Sequence, residues 1–152
     1  MTTAVFVDST TLLYSQDLRF PAKQQQAKAW LRSLLNSNRA AVSLQVLNET
    51  YAVVRRKPEF AHWRADVRQF LQDQLLWATP PLTGEALTDA WRIEDRYHVG
   101  FWDAMLLTSA NRAGCAYFLS EDLNDGQTYD AVRVINPFRH APADVLGRAL
   151  HP

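Results

Sequence analysis

Three observations predict an α/β fold with a mainly parallel central sheet flanked by helices. Apolar runs short enough for strands alternate with longer amphipathic stretches that carry helical spacing. The first of those runs, Ala4 to Val7, is continuously apolar rather than alternating, as suits a strand covered on both faces. Strand and helix signals then take turns along the whole chain, which is the order a layered α/β domain requires.

The elements follow in sequence. Ala4 to Val7 ends at Asp8, and Leu12 to Tyr14 begins a loop or short helical segment. Pro21 suits the first turn of a helix running to about Leu35, with Trp30, Leu31, Leu34 and Leu35 as its apolar face. Asn36 to Arg39 is turn chemistry, and Ala40 to Ser43 is a short apolar strand that leads directly into a helix from Leu44 to Arg56. Pro58 breaks the chain, and Phe60, Trp63, Val67, Phe70 and Leu71 predict one amphipathic helix over Glu59 to Leu76. Trp77 to Leu82 holds two prolines and is an edge strand at best. Helices from Gly84 to Tyr97 and from Trp102 to Ala113 come next, the second stopped by Gly114. Tyr117 to Ser120 is a strand, Glu121 to Thr128 a polar loop, and Val132 to Ile135 the last strand. One domain over residues 1–139 is expected, with a tail over 140–152 that has room for a short helix from Ala143.

Composition narrows the function classes. With 152 residues and 47% hydrophobic content the chain can bury a core of its own. Sixteen basic and sixteen acidic residues cancel, so a nucleic-acid partner would have to be held by a local basic patch. A single cysteine, Cys115, excludes an internal disulfide and is read as core. No basic leader precedes the first apolar run, and no stretch has the roughly 18 apolar residues of a membrane span, so a soluble, cytoplasmic protein is expected.

Four carboxylates fall on one rim of this layout. A helix that follows a parallel strand starts at that strand's carboxyl edge, where ligands of open α/β sheets bind. Asp8 ends the first strand and Glu49 lies early in the helix after the second. Asp103 stands in the first turn of a helix that runs back into the third strand, and Asp122 emerges where that strand ends. Taken alone, Asp8 reads first as a turn cap. Together the acids pose an electrostatic problem, because like charges about 4 Å apart repel by about 4 kcal/mol at an effective dielectric of 20. Shared protons or a cation would relieve it, and a divalent metal is the simpler answer. Oxygen-only ligands select Mg²⁺ or Mn²⁺ over zinc. Such ions bind phosphates and lower the pKa of water, so phosphodiester hydrolysis is the chemistry that follows.

The segments VDSTTLLY around Asp8, SLQVLNE ending at Glu49, GFWDAML around Asp103 and FLSEDLNDG around Asp122 together resemble the PIN-domain nucleases, especially the bacterial VapC-like toxins. The likeness runs from about Thr3 to Phe138. It implies a three-layer PIN-like fold and a metal-dependent ribonuclease in which Asp8, Glu49, Asp103 and Asp122 hold one or two Mg²⁺ or Mn²⁺ ions against an RNA phosphodiester. Thr10 and Ser120 would be supporting hydroxyls. Thr10 stands where family members often carry Asn, and Asn124 where they often carry a second acid, a lack that Asp125 or Glu121 would make good. The resemblance also implies a homodimer and a small antitoxin partner.

Arg55, Arg56 and Lys57 are the candidate RNA-binding patch, extended by Arg64 and Arg68, against the plainer reading of a cation-dressed helix end. The five tryptophans are read as core rather than base-stacking, and Trp102 as packing its helix start. His62, His98, His140 and His151 have no metal-ligand spacing and receive no catalytic role. Two other readings are a non-catalytic relative that binds RNA or a protein partner, and a haloacid-dehalogenase-like phosphatase. The latter would need a second Asp at position 10 and a lysine near the rim, whereas Thr10 stands there and Lys23, Lys28 and Lys57 are placed away from it.

Overall fold

The structure, a computed structural model, describes residues 3–147. Val5–Val7 forms β1, with all three residues inaccessible, as an unbroken apolar run between two layers of helices requires. It is an interior strand of a five-stranded sheet formed with β2 (Ala40–Ala41), β3 (Tyr117–Leu119), β4 (Thr128–Tyr129) and β5 (Val132–Ile135), in the order β2-β1-β3-β5-β4. Four strands are parallel, and β4 pairs antiparallel with β5 at the edge. Register sets Phe6 opposite Phe118, and their rings stack with centroids 5.0 Å apart.

The helices are α1 (Ser9–Tyr14), α2 (Pro21–Asn36), α3 (Leu44–Arg56), α4 (Val67–Gln74), α5 (Glu85–Tyr97), α6 (Phe101–Arg112) and α7 (Pro142–Leu146). The α3 and β5 spans are those the sequence predicts; α1 begins at Ser9, three residues before the expected Leu12, and the other elements, apart from those corrected below, differ by a residue or two. Trp30 of α2 is wholly buried, and its indole N–H donates to the carbonyls of Pro137 and His140, tying the chain after β5 to this helix. Cys115 is core as expected, and burial pushes its thiol up to about 11. Among the described residues no helix is long and apolar enough to cross a membrane. His151 and the end of the tail lie outside the described residues.

Three expectations are corrected. Glu59 to Leu76 is not one helix: a 3-10 turn over Pro58–Trp63 precedes α4, and another, Leu75–Trp77, follows it. Arg64 sits at the break because its guanidinium turns back to donate to the carbonyls of Val54 and Lys57, which closes the carboxyl end of α3. The stretch Trp77 to Leu82 makes only a single bridge, Val42 to Ala78, since Pro80 and Pro81 lack the N–H groups a longer pairing needs. The loop after Glu121 ends in the unpredicted strand β4, which turns into β5 through Asp130 at φ 56 and Ala131. Asp tolerates that left-handed conformation, and its backbone N–H is taken by the Tyr97 hydroxyl.

Candidate functional site

Each of the four acids is delivered by a local device at the carboxyl edge of the sheet. Asp8 leaves β1 in extended geometry and caps α1, its Oδ1 accepting from the Thr11 backbone N–H at 3.0 Å and the Thr11 hydroxyl at 2.6 Å. It is therefore a cap, and it also faces the rim. Ser43 caps α3 in the same way, and within the next two turns Glu49 comes round to the rim. Its two carboxylate oxygens accept from the Ser9 hydroxyl at 3.3 Å and the Gln45 amide at 3.0 Å, so α1 and α3 meet at this acid. Asp103 occupies the first turn of α6, where the free backbone N–H groups favour negative charge. Beyond β3, the buried Ser120 hydroxyl accepts from the backbone N–H groups of Asp122 and Leu123 and bends the loop so that Asp122 stands at the same opening.

The result is a cleft of about 230 Å³ lined by all four acids together with Thr10 and Ser120. Phe118 and Leu106 supply its apolar lining, and Trp102 and Ser9 complete it. Burial, and then the charge of Asp122, push the Asp8 carboxyl up to about 7. Asp103 is raised too, by burial first and then by Asp122 and Glu49. The carboxylates thus feel one another, and among the described residues none of the four has a Lys or Arg partner.

Among the described residues no three His, Cys, Asp or Glu stand close enough to grip a metal ion as a set. The four acids nonetheless line one cleft. An all-oxygen, acid-rich opening of this kind fits Mg²⁺ or Mn²⁺, which keep much of their water and need only one or two direct carboxylates. Asp8, Glu49, Asp103 and Asp122 are the groups that could hold such an ion.

Other expected residues fall elsewhere. Asn124 is exposed and its amide donates to Gln127, away from the cleft. Asp125 is turned to a different cavity, which it lines with Tyr117, Arg133 and His140. There Asp125 accepts from the Asn136 backbone and pairs with the His140 ring at 2.8 Å. Burial would raise its carboxyl, but those two partners outweigh it and hold it low. Glu121 is neutralised by Lys23, whose ammonium also sits over the rings of Tyr14 and Phe138. Neither acid reaches the cleft. Lys23 is nonetheless nearer the rim than its sequence position suggested, because α2 lies along the loop that carries Asp122.

Of the basic patch, Arg55 and Arg56 are exposed, while Lys57 lines a cavity with Arg19 that shares Thr10 with the acid cleft. Arg64 is committed to the end of α3, and Arg68 donates to the Tyr51 hydroxyl. Trp102 corrects its expectation outright: it is 67% exposed, at the mouth of the cleft rather than packed under its helix. Sequence reasoning missed Ser9, Thr11 and Arg19. The first two were legible, since Thr11 stands three residues after an Asp that precedes a helix, the N-cap spacing. Arg19 had no such signal.

Residues 5–128 match the PIN domain family, and the chain belongs to that family. Among curated proteins no relative matches. Solved structures with the same fold include a chain of the DNA-bound VapBC complex from Salmonella typhimurium, 18% identical with a TM-score of 0.63, covering 90% of this chain and 99% of that one. A chain of FitAB bound to an IR36 DNA fragment is 17% identical with a TM-score of 0.66, covering 88% and 95%. A chain of FitAcB from Neisseria gonorrhoeae is 16% identical with a TM-score of 0.64, covering 90% and 99%. At these identities the likeness is one of fold, and the architecture is that of a PIN domain.

Proposed function

We propose that this protein is a Mg²⁺- or Mn²⁺-dependent endoribonuclease and the toxin of a type II toxin–antitoxin pair, acting in the cytoplasm. The observation that carries the reading is the gathering of four acids without cationic partners in one cleft at the carboxyl edge of the sheet. When bound, a divalent ion there would lower the pKa of water and stabilise charge on the attacking and leaving oxygens of a phosphodiester. The protein's own part is positioning. Thr11 fixes the Asp8 carboxylate, Ser9 and Gln45 fix Glu49, and Ser120 sets the loop that carries Asp122. The Thr10 hydroxyl lines the cleft and can donate to a phosphate oxygen. Lys57 supplies positive charge in the adjoining cavity for the neighbouring backbone phosphate.

Membership of the PIN family supports the nuclease reading. The complexes in which its fold neighbours were solved, VapBC, FitAB and FitAcB, support an antitoxin partner, and a homodimer belongs to the same reading. The test is cleavage of a mixed RNA pool by purified protein with Mg²⁺, Mn²⁺ or chelator, beside single-stranded DNA and the Asp8→Asn variant. Metal-dependent cutting of RNA that the variant lacks is the expected result. Cutting that persists in the variant shows that the activity does not arise at these acids, and no cutting together with calorimetry showing no Mn²⁺ uptake leaves a non-catalytic binding module; either overturns the proposal.

A further inference from the structure

Trp102 is the most exposed of the five tryptophans, and it is placed where two cavities meet. One is the acid cleft. The other is an open slot of about 530 Å³ lined by Leu44, Gln45, Asn48, Glu49 and Trp102, so Trp102 and Glu49 form a wall of both. Leu44, 59% exposed, is the other large apolar group of the slot. The indole is oriented by an edge contact with Phe101, the ring centroids 5.3 Å apart. Gln45 spends its amide N–H on Glu49 and keeps its carbonyl free, while the Asn48 side chain makes no hydrogen bond among the described residues.

Resting on the phosphodiesterase reading above, we infer that this slot is a base subsite, in which an unpaired nucleobase next to the scissile phosphate stacks on Trp102. The slot offers what a nucleobase needs: an aromatic face, an apolar surface in Leu44, and free amide groups for a base edge. Its position fits a strand passing through the site. A phosphate at the acids would have Lys57 in the cavity joined at Thr10, where Arg19 is already paired with Asp17, and the indole in the slot joined at Glu49. Backbone charge and base are thus met by different chemistries in two cavities that join the cleft through different residues, Thr10 for the one and Glu49 with Trp102 for the other. Glu49 in the shared wall repels phosphate, which favours a neutral base there. A stacked base must leave its helix, so the substrate is single-stranded at the point of attack.

The test is made in the full chain carrying Asp8→Asn, so that RNA stays intact. A short fluorescein-labelled single-stranded RNA and its perfect duplex are titrated by anisotropy in Mg²⁺, with Trp102→Ala and Trp102→Phe compared at matched melting temperature. Single strands are expected to bind more tightly than duplex. Trp102→Ala should weaken single-strand binding roughly tenfold to a hundredfold. Trp102→Phe should retain most of the affinity, and duplex binding should not respond. Unchanged single-strand affinity in Trp102→Ala overturns the subsite. So does light scattering that shows Trp102→Ala splitting a dimer, which would make the slot a contact between copies. If the unsubstituted chain cleaves RNA while Trp102→Ala binds normally, only the subsite falls; if it neither cleaves nor binds RNA, the phosphodiesterase reading falls with it.

Discussion

Two acids flank the same short helix, Asp8 ahead of α1 and Asp17 just past it, and both are nearly inaccessible, at 7% and 3% exposure. Asp17 receives the Arg19 guanidinium at 2.9 and 3.0 Å, and that partner holds its carboxyl below the usual range in spite of burial. Asp8 receives only the neutral donors of Thr11, and burial pushes it up to about 7. The pattern repeats on a larger scale. Asp130 is held by Arg92 and Asp89 by Arg112, whereas Glu49, Asp103 and Asp122 have no such cation among the described residues. Arginine is available to this fold and is withheld from one rim. Under the proposed function, that rim is where a divalent ion would supply the missing positive charge.

Removing a rim acid is the sharpest way to break that contrast. Asp103→Asn is expected to keep the fold, because the side chain accepts no hydrogen bond there, and to reduce metal-dependent RNA cleavage by more than about a hundredfold, read in initial rates. Thr11→Val removes the 2.6 Å hydroxyl donor to Asp8 and leaves the backbone donor in place. Activity should then fall roughly tenfold to a hundredfold, the usual size for loss of a group that supports a metal ligand.

Stability should respond in the opposite sense at the two acids. Asp8 has a folded pKa of about 7 against an ordinary 3.8, so the folded state binds more protons between those values and loses stability as pH rises through them. In metal-free protein, Asp8→Asn should therefore raise the melting temperature by several degrees at pH 7, at about 2–4 °C per kcal/mol, and by less at pH 5. Added Mn²⁺ should stabilise the unsubstituted chain alone. The lowered Asp17 and Asp130 contribute stability above the ordinary carboxylate range, lost as pH falls through their folded values. Asp130→Asn keeps a residue that tolerates φ 56 and an oxygen for the Tyr97 hydroxyl, and loses the charge that pairs with Arg92 and, more distantly, Arg96. A drop of about 1 kcal/mol or less in urea titration, with cleavage unchanged, is expected.

The convergence of Asp8, Glu49, Asp103 and Asp122 on one cleft was legible because strand ends and helix starts share an edge in a parallel sheet, and an acid's place along its element fixes its edge. What lay beyond that edge was not legible. Asp125 sits three residues past Asp122 and still faces another cavity, since His140 and the Asn136 N–H, both distant in sequence, capture it. Trp102 followed the rule that tryptophans beside leucines are core, yet the next residue, Asp103, faces the cleft and places its neighbour at the mouth. The helix expected over Glu59 to Leu76 breaks at Arg64, a polar residue whose partners belong to another helix. Periodicity reports the apolar face and is silent about such capture.

The strand order carries one more consequence, in time rather than space. Val5 lies between Ala40 and Tyr117, so β1 has one neighbour early in synthesis and must wait for the other until most of the chain exists. A ribosome-bound chain that stops short of Tyr117 contains Asp8, Glu49 and Asp103 but neither β3 nor Asp122. Pairing across such a separation is slow to form. The cleft is therefore assembled late, only once β3 and the loop that carries Asp122 have been made.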